Sequence, residues 1–96
     1  MTVYIGGVQT FKETKPDKAQ ALKPLEEAAE VFGAWQAWRE NGPTLDNAEA
    51  GLVDRIVDEC ADVIQATCNL LESLGVTDLR EAMERCAERN RERGRL

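Results

Sequence analysis

Apolar residues recur at helical spacing through two long stretches, residues 24–40 and 46–74, and each stretch has its own stop signal. Asn41-Gly42-Pro43 ends the first and Gly75 ends the second. Two helices of this length, joined by so few residues, should run antiparallel as neighbours. A narrower apolar stripe follows in Leu79, Ala82, Met83, Cys86 and Ala87. Candidate caps support the same division. Asp17 precedes the first helix, Asp46 and Glu49 have capping-box spacing with Leu45 as a staple, and Asp78 with Glu81 repeats the pattern. Pro24 lacks an amide donor and is expected to kink or restart the first helix. The Arg-rich stretch 89–95 is expected to fray. Residues 2–11 read as two short strands about a Gly6-Gly7 turn, and residues 12–16 as a polar linker. The expectation is one all-α domain over residues 1–96. An arm or short β-hairpin would occupy 1–16, and an antiparallel bundle of three helices 17–96.

Ninety-six residues with 5% aromatics give such a bundle little to bury. A chain this short hides roughly 60–65% of its unfolded surface. Completion by oligomerisation, as a homodimer or homotetramer, is therefore expected. No apolar stretch approaches the roughly 20 residues of a membrane span. No basic segment followed by an apolar run opens the sequence, so neither a membrane nor a signal peptide is expected. Cys60, Cys68 and Cys86 are odd in number and set in helical surroundings, which suits reduced thiols in the cytoplasm. Histidine is absent. That excludes imidazole zinc sites, triads with a His base, and the Glu-x-x-His pairs of di-iron bundles. Metal chemistry would fall to carboxylates, which favour Mg²⁺, with Mn²⁺ as a substitute.

The net charge of −6 is unevenly spread. Residues 1–23 and 79–96 each carry +2, while residues 24–78 carry −10. An acidic middle between basic ends is a poor footprint for duplex nucleic acid. It suits a cation cluster facing a polyphosphate, and equally a solvated helical surface.

The acids of the two long helices have a shared spacing. Glu27/Glu30 and Glu59/Asp62 are both i, i+3 pairs, and each sits among apolar neighbours. On a helical wheel the members of a pair lie about 60° apart. Lys23, Val31, Ala34 and Trp38 share the face of Glu27; Leu52, Arg55, Val63, Ala66 and Leu70 share that of Glu59. Four carboxylates would converge if these faces met. Their repulsion and desolvation would cost several kcal/mol each, and a divalent cation would relieve it. The competing reading is a set of surface acids paired with Lys23, Arg39 and Arg55.

Glu26-Glu27-Ala28-Ala29-Glu30, followed by Glu59-Cys60-Ala61-Asp62, resembles the E-E-x-x-E … E-x-x-D signature of the all-α, MazG-like nucleoside triphosphate pyrophosphohydrolases. Lys23-Pro24-Leu25 before the first motif and Asn90 with Arg93 in the last helix are similar to flanking elements of that superfamily. The resemblance covers residues 22–95. It implies Mg²⁺-dependent cleavage between the α- and β-phosphates, yielding a nucleoside monophosphate and pyrophosphate. It also implies Glu27, Glu30, Glu59 and Asp62 as metal ligands, with Glu26 as an outer acid or water-orienting base. Lys23, Arg89, Asn90 and Arg93 would meet the phosphates. Trp38, and less so Trp35, is a candidate for base stacking, and Asn69 for hydrogen bonding to sugar or base. The cysteines read as small core residues. A phosphoribosyl-ATP pyrophosphohydrolase ranks lower, because the Tyr-His that often follows the second motif there is missing after Asp62. The reading from another class is a non-enzymatic helical interaction module.

Overall fold

A computed structural model describes residues 1–41 and 47–96 of the chain, without the side chains of 47–50. Three helices follow one another: α1 (Lys18–Glu40), α2 (Asn47–Ser73) and α3 (Arg80–Glu92). The fold is all-α, as expected. Asp17 caps α1, its carboxylate accepting the Gln20 amide at 2.9 Å. Pro24 neither breaks nor restarts the helix, which is continuous from Lys18 to Glu40. One proline removes one ladder bond, and packing on α2 outweighs that loss. The cap expected at Asp46, with Leu45 and Glu49, lies outside the described residues and side chains.

Gly75 closes α2. Its φ is +80°, its amide bonds to Glu72 O at 2.9 Å, and the Val76 amide bonds to Leu71 O at 2.9 Å. That bond pair is a Schellman cap. A Cβ built on Gly75 meets nothing within 4 Å, so only the left-handed backbone demands glycine here. Gly75→Ala is expected to lower stability by about 1–2 kcal/mol, read from urea unfolding with an unchanged m-value. Gly94, at φ +72°, ends α3 in the same way, with Gly94 N to Arg91 O at 2.9 Å and Arg95 N to Asn90 O at 2.8 Å. The Arg-rich end therefore holds its helix to Glu92 and a formed cap beyond it, where fraying was expected. At the start of α3, Asp78 stands one residue before the N-cap position, Leu79. Its carboxylate accepts the Arg80 amide at 3.0 Å and pairs with the Arg80 guanidinium at 2.7 Å. These bonds hold the Asp78 carboxyl down at about 2. Glu81 falls in the first turn without closing a capping box.

Only α1 and α2 pack together among the described residues; α3 packs on neither. The pair is antiparallel. Phe11, ahead of α1, reaches Asn69 late in α2, while Glu30 meets Glu59 midway along the same helix. No strand is assigned in residues 1–17, where a short hairpin was expected at 2–11. Two short strands are marginal alone; backbone groups of the segment bond to α2. Gln65 Nε2 donates to Gln9 O at 3.0 Å, and the Phe11 amide donates to Asn69 Oδ1 at 3.1 Å. Thr14 Oγ1 also donates to Glu72 Oε2.

Such an arrangement buries little. Among the described residues only Ala34, Ala66 and Asn69 are buried, while Leu25, Phe32, Val57 and Met83 are more than half exposed. The radius of gyration is 16.0 Å, against about 13 Å for a compact chain of this length. The accessible surface is 7820 Å², where a compact monomer of this mass shows about 5,500 Å². No helix of the described residues is long and apolar enough to cross a membrane.

Candidate metal centre and adjoining cavity

Glu27 and Glu30 lie one turn apart on α1, as do Glu59 and Asp62 on α2. Where the helices meet, one carboxylate oxygen from each of the four lies within 4.8 Å of the others. Ala34 is one turn beyond Glu30, and Ala66 one turn beyond Asp62. Because the helices are antiparallel, these two buried alanines flank the cluster at opposite ends. Methyl groups there let the backbones approach closely, which brings the acids together.

Glu27 and Glu59 are partly buried; Glu30 and Asp62 are exposed. Desolvation raises the Glu27 carboxyl above its ordinary range, and repulsion from Glu30 and Asp62 adds to it against a smaller opposing effect of Lys23. Glu59 is raised in the same way, by desolvation, hydrogen bonding to Glu30 and repulsion from Glu30 and Asp62, with Arg55 opposing. Glu59 Oε2 is buried and has no hydrogen-bond partner among the described residues. Four hard oxygen donors this close together make a set that could hold a metal ion.

A cavity of about 500 Å³ opens beside the cluster and includes Glu27 and Asp62 in its wall. Lys23, Gln65, Ala66 and Asn69 line it from the two helices, and Phe11 and Lys15 from the segment before α1.

The remaining candidates fall in different places. Glu26 stays out of the four-acid group and pairs with Lys23 at 3.3 Å on an exposed surface. Asn69 lines the cavity, but its carboxamide oxygen accepts from both the Phe11 amide and Gln65 Nε2. Trp38 is not among the cavity-lining residues, and its buried Nε1 has no partner among the described residues. Trp35 stacks on Phe32, with ring centroids 5.8 Å apart. Arg89, Asn90 and Arg93 ride on α3, away from the cluster of their own chain. Asn90 Nδ2 donates to Cys86 O at 3.0 Å, and Arg93 is the C-cap residue.

Gln65, Phe11 and Lys15 were not singled out from the sequence. Gln65 was findable: residues 62, 65 and 69 are spaced i, i+3, i+7 and share one helical face. Phe11 reaches the site through a bond to Asn69, more than fifty residues away in sequence, which no local pattern carries, and Lys15 lies in the same segment. Comparison with family models, curated proteins and solved structures finds no match to the chain.

Proposed function

We propose that the protein is a Mg²⁺-dependent nucleoside triphosphate pyrophosphohydrolase that releases a nucleoside monophosphate and pyrophosphate. The observation that carries this reading is the convergence of Glu27, Glu30, Glu59 and Asp62 within 4.8 Å on two packed helices. These are the residues that the resemblance to the MazG-like superfamily names as ligands. The cavity beside them is large enough for a small molecule.

Glu27, Glu30, Glu59 and Asp62 would hold the divalent cation. Bound there, such an ion supplies charge neutralisation for phosphate and acidifies water at neutral pH. The other roles belong to side chains of the chain itself. Lys23 lines the cavity and can exchange Glu26 for a phosphate oxygen. Glu26, released from that pair, would act as the outer acid that orients water. Arg89, Asn90 and Arg93 do not approach their own cluster, so in this reading they meet the phosphates of a neighbouring copy.

That arrangement needs a homodimer or homotetramer. About 2,000 Å² of surface beyond that of a compact monomer, and exposed Leu25, Phe32, Val57 and Met83, support it. In sedimentation analysis the protein is expected at two or four times 10.7 kDa. A monomer at micromolar concentration would remove the α3 residues from the site. Three free cysteines suit a reducing compartment such as the cytoplasm.

Pyrophosphate release from a panel of ribo- and deoxyribonucleoside triphosphates with Mg²⁺ tests the activity. The panel ranks bases and sugars. No release from any of them, with no stabilisation by Mg²⁺ or Mn²⁺, would leave the helical interaction module as the reading.

A further inference from the structure

Two ends of the cavity differ in chemistry. Glu27 and Asp62 belong to the four-acid cluster. Gln65, Asn69 and Phe11 lie farther along, and Asn69 is seven residues, about 10 Å of helix, beyond Asp62. A cation-bound phosphate together with its pentose covers a gap of that order before the base is reached.

Phe11 is 63% exposed yet lines this cavity. The one aromatic pair formed among the described residues is Phe32–Trp35, so the Phe11 ring has no aromatic partner. Its backbone is held firmly. The Phe11 amide donates to Asn69 Oδ1, which is 3% exposed at the residue level, and Gln65 Nε2 braces the same oxygen at 3.0 Å. Gln65 also holds Gln9 O, and Thr14 is tied to Glu72. Three attachments to α2 thus fix residues 9–14 across one side of the cavity. An exposed aromatic on a fixed backbone, over a cavity whose other end is a cation-type cluster, is a surface for a flat ligand.

We infer that the segment before α1 is a wall of the nucleotide site, with Phe11 as the surface on which the nucleobase stacks and Asn69 as the residue that positions it. The inference rests on the nucleotide reading above and names a part of the site outside the acid motifs. Stacking on a lone aromatic tolerates different bases, so this wall contributes affinity for any nucleoside and leaves base choice to polar groups such as Gln65.

The test is calorimetric titration of the full chain with an α,β-imido nucleoside triphosphate in Mg²⁺, which cannot be cleaved at the bridged position. Phe11→Ala and Phe11→Leu are expected to bind about tenfold more weakly, and Phe11→Tyr like the unaltered chain. All three should keep the thermal shift given by Mg²⁺ alone, which shows that the fold and cluster are intact. Equal affinity of the Ala and unaltered chains would overturn the inference. Binding without pyrophosphate release from the cleavable nucleotide would sink the hydrolase reading and leave the stacking wall to be decided by the same variants. No binding of any nucleotide by the unaltered chain would overturn both.

Discussion

Glu59→Ala is expected to lower pyrophosphate release at least a hundredfold, because even outer partners of metal ligands are worth 10–100-fold (about 1.4–2.7 kcal/mol). Glu59 is the sharpest choice of the four. It is partly buried, touches Glu30 and Asp62 electrostatically, and carries the buried oxygen without a partner. Without metal the same substitution should raise the melting temperature, since it removes one of four crowded carboxylates. Those opposite signs separate a site from a structural role. A residue that merely held the helices together would lose activity and stability together. Glu59→Gln, which keeps the shape and drops the charge, should repeat both effects. A variant that is destabilised without metal and still releases pyrophosphate would remove Glu59 from the site.

Mg²⁺ or Mn²⁺ is expected to stabilise the unaltered chain strongly, and EDTA to reverse it. An ion that binds only the folded state at a hundred times its Kd adds about 2.7 kcal/mol. For a domain of this size that is a rise of about 10 °C or more in Tm. The pH dependence has a definite sign. Glu27 and Glu59 are raised above the ordinary carboxylate range in the folded state. The folded chain therefore binds protons more readily there than the unfolded chain does. Stability without metal falls as pH rises from the ordinary range through the raised values, and levels off above them. Asp78, held at about 2, stays ionised throughout and does not oppose the trend between pH 5 and 7. In EDTA the Tm should thus be higher at pH 5 than at pH 7. With Mg²⁺ the added stabilisation should grow over the same interval, as the ligands ionise. A metal-induced shift independent of pH, or absent at pH 7, would rule out the carboxylate centre.

What was legible in the sequence was local. The 3.6-residue period marked the helices, and Asp17 and Gly75 marked two of their ends, because a cap is decided by a few neighbouring residues. The i, i+3 spacing placed each acid pair on one face by geometry alone. Local signals also misled. Pro24 read as a kink or restart and residues 89–95 as a frayed end, yet α1 is one continuous helix through the proline and Gly94 caps α3.

The sequence by itself determined which residues are helical and which side chains share a face, since both follow from the dihedral repeat. The tertiary structure alone decided that the two acid faces meet, that Glu26 is left outside with Lys23, that Phe11 lines the cavity, and that α3 packs on neither α1 nor α2 among the described residues. Those outcomes depend on contacts between residues far apart in the chain. They are set by the close approach that Ala34 and Ala66 permit and by the backbone groups that Gln65 and Asn69 satisfy, which no window of neighbouring residues contains.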